Sequence, residues 1–251
     1  MKPAESSWNM AVVKDCGACP IQRQAICSRC AADELAVLDG MKTYRTYAKG
    51  EMITYTGAPV SHVGTLVSGV ASISQGLEDG RRQIMGILLP SDFIGRPGAR
   101  VAQYDITASS EVTMCRFEIN AFEKLLAASP ALGPRLLEMT MDELDAAREW
   151  MLLLGRKSAR EKIATLLFLI AMKNKSLSGS HAHESLSFTL PLTRETLADY
   201  LGLTIETVSR QFSALRKEGV IRIQGQRHIT IPDFRRLIVE AGDDYSGSVL
   251  P

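Results

Sequence analysis

The sequence predicts an α+β protein with an N-terminal antiparallel β-barrel, a long dimerisation helix and a compact C-terminal pair of helices followed by a hairpin. Three observations predict it. Residues 42–117 carry short strand-like runs punctuated by glycine. Residues 137–154 place apolar or small side chains at alternating intervals of three and four. Residues 193–217, TRETLADYLGLTIETVSRQFSALRK, read as two short helices about a glycine turn.

Composition narrows the function classes before any motif is considered. A chain of 251 residues with 45% hydrophobic and 23% charged residues suits one large or two modest globular domains. It has no N-terminal apolar signal segment and no apolar run of about 18 residues, so a cytoplasmic protein without membrane insertion is expected. The net charge of +1 hides an asymmetry, because residues 155–240 hold fourteen Lys/Arg against eight Asp/Glu. A basic C-terminal third suggests a polyanion partner for that third, against the plainer reading of a solvated surface. No nucleophile–base pair, phosphate loop or paired-acid site emerges, so no enzyme is expected.

Along the chain, residues 1–31 form a cysteine-bearing arm and residues 32–129 the barrel, opening with a short helix over 31–41. In the barrel, Asp79-Gly80 between alternating runs marks a hairpin. Residues 130–156 form the long helix, whose seam is Leu137, Thr140, Leu144, Ala147, Met151 and Leu154. The flanking runs LLEM and MLLL put apolar groups off that seam, so the helix has two faces in need of partners, its own barrel and a second copy of the chain. Residues 157–241 hold a further helical pattern over 158–172, a polar Ser/Gly-rich loop over 174–187 and the C-terminal helix pair, leaving 242–251 as a tail. His181 and His183 lie in that loop without a neighbouring Cys or second His pair, which favours solvated histidines over metal ligands.

The C-terminal pair has the chemistry of a winged helix-turn-helix. Thr193 and Thr204 stand as N-caps, with Glu195 and Glu206 in the first turns where the helix dipole favours anions. Ala198 lets the helices approach, Gly202 makes the turn, and Val208 pins the second helix, with Leu197, Leu201 and Leu203 inside. The second helix then presents Ile205, Glu206, Ser209 and Arg210 near its N-terminus, where a recognition helix meets base edges of double-stranded DNA. Arginine can bond guanine in bidentate fashion, glutamate can accept from cytosine, serine suits either, and isoleucine can touch a thymine methyl. The run VIRIQGQRHITI has the form of a β-wing, with Arg227 and His228 toward phosphate.

Four of the five cysteines fall within CGACPIQRQAICSRC, residues 16–30, and the fifth is Cys115 in the strand-like run VTMCRF. Clustered thiols in a reducing compartment point to metal rather than disulfides. Spacing leaves two readings open. Cys16, Cys19, Cys27 and Cys30 could close a zinc knuckle, or four thiolates could hold a 4Fe–4S cluster.

The motif ETVSR, together with CPIxxxAxCxxC, LPSDFxGRPG and the stretches around LDAAREWML and RETLADYLGLTIETVSRQ, resembles the CRP/FNR superfamily of bacterial transcription factors. The likeness is to its fumarate-nitrate-reduction branch, and in particular to the FnrL-type oxygen-responsive activators of alphaproteobacteria. It spans nearly the whole chain. It implies a cyclic-nucleotide-binding-like barrel, a homodimer through the long helix, a palindromic target with TTGAT-like half-sites, and RNA polymerase as a further partner, with residues 77–82 (LEDGRR) and 174–188 resembling polymerase-contacting positions. It also implies a 4Fe–4S cluster on Cys16, Cys19, Cys27 and Cys115, with Cys30 as the alternative ligand and zinc as the alternative metal. Loss of the cluster in oxygen would then loosen the arm and release DNA. Ala147 stands where some relatives carry an acid, which implies a less labile dimer. A cyclic nucleotide is not expected, because Arg100 is followed by Val-Ala where a phosphate pair is needed and Asp105 adds a negative charge. Haem is not expected either, since His62 is the one histidine of the barrel.

Overall fold

The computed structural model describes residues 15–76, 82–178 and 186–242. The chain divides into two compact units, residues 1–74 with 87–139, and residues 75–86 with 140–251. Among the described residues no helix is long and apolar enough to cross a membrane.

In the first unit the arm is not plain loop. It forms two 3-10 turns, Cys16–Ala18 and Ile26–Arg29, and runs into α1 (Ala32–Met41). The Asp15 carboxylate accepts the Gly17 N–H at 2.8 Å and starts the first turn. Glu34 accepts the Ala31 N–H at 2.9 Å and starts α1, satisfying a donor that the helix itself leaves unpaired.

Eight strands follow: β1 (Thr43–Tyr47), β2 (Met52–Thr54), β3 (His62–Ser68), β4 (Ala71–Gly76), β5 (Arg82–Leu88), β6 (Phe93–Ile94), β7 (Asp105–Ala108) and β8 (Val112–Glu118). They make two four-stranded sheets, ordered β1-β8-β3-β6 and β2-β7-β4-β5. Tyr47, Leu66, Ile94, Val112 and Met114 of one sheet share a core with Ala71, Leu88, Ile106 and Ala108 of the other. The pairings do not close into a continuous cylinder. The two-residue β6 and the register shift in β2 leave little ladder with which to close it. The Asp79-Gly80 turn lies outside the described residues.

β3 and β8 approach closely where Gly64 faces Arg116, beside the Thr65–Cys115 pair. A Cβ on Gly64 would overlap the Cys115 carbonyl oxygen. Glycine here lets β8 seat Cys115 at the heart of its sheet, between Tyr44 of β1 and Thr65 of β3.

After β8 the Glu118 carboxylate caps α2 (Ile119–Ala128), accepting the Asn120 and Ala121 N–H groups at 3.1 and 2.8 Å. The Ser129 hydroxyl accepts the Leu132 N–H at 3.1 Å at the start of α3 (Leu132–Arg156). Pro134 falls in the first turn of α3, where its missing N–H costs no hydrogen bond. A second core joins Ile26 of the arm, Leu38 of α1, Val63, Phe117, Phe122 and Leu132, with Leu136 and Met139 of α3 packed against it.

The second unit contains α4 (Ala159–Ser178), β9 (Leu186–Thr189), α5 (Arg194–Leu201), α6 (Ile205–Lys217), β10 (Arg222–Gln224), β11 (His228–Ile231) and α7 (Phe234–Glu240). The loop expected from residue 174 begins later, because α4 continues to Ser178 and the Asn174 side chain bonds back to the Ile170 carbonyl at 2.7 Å. His181 and His183, the tail beyond 242 and residues 77–81 of the LEDGRR run lie outside the described residues.

Arg100 is bound to Glu123 of α2 through both guanidinium nitrogens, at 2.7 and 2.9 Å, and Glu123 also accepts the Gly98 N–H at 2.8 Å. The Arg100 hydrogen bond, with the Gly98 donor, pulls the Glu123 carboxyl down from 4.5 to about 2. A carboxyl depressed by folding stabilises fully above its unfolded pKa and loses that contribution as pH falls through the folded value. Acid denaturation of the first unit should therefore steepen between pH 4.5 and about 2. In Glu123→Gln that segment of the stability–pH curve, followed by circular dichroism, should flatten.

Gly64→Ala should lower the stability of the first unit by about 1–3 kcal/mol through overpacking against backbone. The control Gly40→Ala in α1, where an added Cβ meets nothing within 4 Å, should be neutral or stabilising by up to about 1 kcal/mol. Thermal melts of the two variants check the pair.

Candidate metal centre and nucleic-acid interface

All five cysteines are free thiols. The 3-10 turns of the arm and the central position of β8 bring them into one basin at the edge of the second core, which Cys27, Cys30 and Cys115 all border. Cys16 is held from both ends: its N–H donates to Asp39 at 2.9 Å, and Lys42, ion-paired with Asp39, lies 3.7 Å from its sulfur. The N–H groups of Ile21 and Gln22 face the Cys19 sulfur and lower its pKa against a larger upward push from burial.

Burial is the first cause raising every one of these thiols. Cys16 is pushed up to about 12, further raised by its hydrogen bond with Asp39, and Cys27 and Cys30 to about 11. Cys115 is pushed to about 12, and the charges that raise it after burial are those of Cys16, Cys19 and Cys27. Cys30 is raised by Glu34 and Cys16 and acts on Cys27. Tyr44, opposite Cys115 on β1, shares a hydrogen bond with it and is likewise raised, first by burial. The thiols therefore carry their protons at neutral pH, and a metal binding among them must displace those protons. Among the described residues no three Cys, His, Asp or Glu side chains stand close enough to hold a metal ion, so the thiols are neighbours in a basin rather than a closed cage. The donor set is all sulfur with backbone N–H donors beside it, which matches the ligand chemistry of an iron–sulfur cluster.

The nucleic-acid face is built as its residues predict. The Thr193 and Thr204 hydroxyls accept the Thr196 and Thr207 N–H groups at 3.1 and 3.2 Å, starting α5 and α6. Gly202 ends α5 in the left-handed region at φ 62°, and the Leu203 N–H returns to the Ala198 carbonyl at 3.0 Å. Leu197, Ala198, Leu201 and Val208 are buried. The Arg194 guanidinium lies 3.4 Å from the Phe212 ring centroid and clamps α5 to α6. Ile205, Glu206, Ser209 and Arg210 are all exposed on the first two turns of α6. Glu206 is held below the usual carboxylate range by its own N–H and the Thr204 hydroxyl. β10 and β11 form the wing, with β9 added as a third strand. Arg227 and His228 are half-buried there, while Arg222 is exposed.

The remaining face belongs to α3. Leu137, Thr140, Leu144, Ala147 and Met151 are exposed, with Leu137 63% and Met151 66% accessible, while Leu154 is half-buried. Met141 and Leu152 are exposed as well; the strict seam spacing missed both, and the apolar flanks hinted only at Leu152. Spacing also missed Tyr44 and the Asp39–Lys42 pair, since only strand register and the turn geometry bring them to the thiols. Trp150, by contrast, is covered, stacked on Tyr200 of α5 at 3.9 Å.

Comparison with known proteins agrees with this architecture. Residues 44–129 match the cyclic nucleotide-binding domain family and residues 161–239 the Crp-like helix-turn-helix domain family. The chain is 52% identical over 238 residues to the transcriptional activator protein FnrL of Cereibacter sphaeroides, covering 95% of this chain and 96% of that protein. It is 36% identical over 208 residues to the nitrogen fixation regulation protein FixK of Bradyrhizobium diazoefficiens, covering 83% and 86%. Among solved structures, FixK2 from Bradyrhizobium japonicum superposes with a TM-score of 0.71 at 32% identity, over 82% of this chain and 99% of that one. Sequence, fold and site together show that the chain belongs to the CRP/FNR family of DNA-binding transcriptional regulators and is not an enzyme.

Proposed function

We propose that this regulator is an oxygen-responsive activator in which Cys16, Cys19, Cys27 and Cys115 hold a 4Fe–4S cluster, α3 pairs with its copy across a two-fold axis, and α6 reads a palindrome of TTGAT-like half-sites. The observation that supports the reading is the meeting of arm and sheet: Cys27, Cys30 and Cys115 pack against the same core, and Cys16, Cys19 and Cys27 each act on Cys115. When bound, the cluster supplies an oxygen-labile cross-link between the arm and β8. Asp39 and Lys42 fix Cys16, the Ile21 and Gln22 N–H groups face Cys19, and Tyr44 meets Cys115. Each of these groups orients a sulfur or offsets negative charge gathered in the basin.

The exposed apolar face of α3 is given to a second copy of the chain, because the family is dimeric in its DNA readout and a palindrome demands two-fold symmetry. Ala147 places no like charge across that axis. On DNA, Arg210 is assigned to the guanine of each half-site, Glu206 and Ser209 to adjoining pairs and Ile205 to a thymine methyl. RNA polymerase and a cytoplasmic location belong to the same reading. Cyclic nucleotide is excluded from it, because Arg100, the side chain a phosphate would need, is engaged by Glu123. A zinc site on Cys16, Cys19, Cys27 and Cys30 is the second reading, favoured by the nearness of Cys30 to Cys16 and Cys27.

Iron and zinc content of two variants, purified without oxygen, separates these readings. Cys115→Ala should lose the iron and Cys30→Ala should keep about four irons per chain; the reverse pattern would make Cys30 the fourth cluster ligand, and zinc without iron in the wild type and Cys115→Ala would favour the knuckle.

At the DNA face, Arg210→Ala should weaken binding by about 1–3 kcal/mol per half-site and relax discrimination at the guanine. Arg222→Ala on the wing should weaken all sequences alike and lower the salt slope by about one per half-site. Binding titrations on matched and mutated palindromes at several salt concentrations check both.

A further inference from the structure

The arm touches the beginning of α3 through two polar ties that the proposed function leaves unassigned. At the start of the helix, the Ser129 hydroxyl that caps α3 also donates to Glu34 of α1, whose other oxygen accepts the Ala31 N–H at 2.9 Å. Further along the helix, Arg135 donates to the Gln24 carbonyl of the arm at 2.6 Å and to Glu138 at 2.7 Å. Arg29, two residues beyond Cys27, reaches the other Glu138 oxygen at 2.6 Å. Arg135 is the anchored member, with its side chain 15% exposed against 57% for Arg29. Arg29 is therefore the member free to let go.

The placement of these groups gives the ties a consequence. Gln24 and Arg29 bracket Cys27 in the arm, and Arg135 and Glu138 bracket Leu136 and Leu137 on the helix. Leu136 packs on the sensor core, while Leu137 opens the exposed apolar face. The turn of α3 gripped by the arm is thus the turn at which the pairing face begins. A shift of the arm at Cys27 cannot leave that grip unchanged, because Arg29 and the Gln24 carbonyl lie on either side of it.

We propose that Arg29, Arg135 and Glu138 form a latch: positioning residues through which the placement of the cysteine arm sets the first turns of α3 and hence the strength of α3–α3 pairing. The proposal rests on the reading of the exposed α3 face as a dimer interface. It does not depend on which metal the thiols hold.

A double-mutant cycle tests it, because Arg29 lies on the arm and not on the pairing face. The full-length chain, wild type, Arg29→Ala, Glu138→Gln and the double variant, is purified without oxygen, and the dimer dissociation constant is measured by sedimentation. Each single change should weaken the dimer roughly three- to tenfold, and the double should be no weaker than about twice the stronger single, as for residues acting as one unit. Hydrogen exchange should rise together in residues 24–30 and 132–140, with the melting temperature nearly unchanged, and Arg29→Lys should restore part of the dimer affinity. A dimer constant within twofold of wild type in Arg29→Ala, or effects that multiply in the double variant, would overturn the latch while leaving the regulator reading intact. A wild-type chain that stays monomeric at all concentrations would overturn both.

Discussion

α3 carries two apolar faces and buries only one of them within the chain, and that division organises the rest of the structure. Leu132, Leu136 and Met139 pack on the core shared by the arm, α1, α2 and β8. Leu137, Met141, Leu144, Met151 and Leu152 point away and stay exposed. Large apolar side chains are exposed elsewhere too, Tyr55, Tyr104 and Val239 among them, but on α3 several line up along one helix, the pattern of an interface. The satisfied face packs within the first unit. Leu136 and Leu137 are neighbours in the first turns of α3, one packed on that core and the other exposed, so the seating of one bears on the other.

The thiol basin meets the same constraint from the other side. Desolvation raises the thiols, and crowding them against one another makes charge there more costly still. Such a site is neutral when empty and pays the proton release only when a cation replaces the protons. The arm brings four of the thiols, Cys16 and Cys27 in its two 3-10 turns and Cys19 and Cys30 at their ends, while Cys115 sits in the centre of a four-stranded sheet. The strand that carries Cys115 is fixed by its two neighbours and by the close approach at Gly64.

Much of the fold was legible because local chemistry and tertiary structure agree. Thr193, Gly202 and Thr204 act as caps and turn in the positions their side chains require, and Ile205, Glu206, Ser209 and Arg210 reach solvent together. The alternating seam of α3 was legible for the same reason. The end of α4 was not, since the polar run after residue 173 reads as loop until the Asn174 side chain is seen bonding its own helix. The Tyr44–Cys115 pairing could not be read, because strand register is a long-range property that spacing does not encode. The latch residues were invisible for that reason too: Arg29 and Glu138 are 109 positions apart.

The most direct test of the account follows one anaerobic sample through the admission of air, recording its absorption spectrum, iron, sulfide and zinc content, and affinity for a TTGAT palindrome. The account predicts a brown protein with about four irons per chain that binds the palindrome and loses colour and DNA affinity together. A colourless protein carrying one zinc, whose DNA binding ignores air, would contradict it.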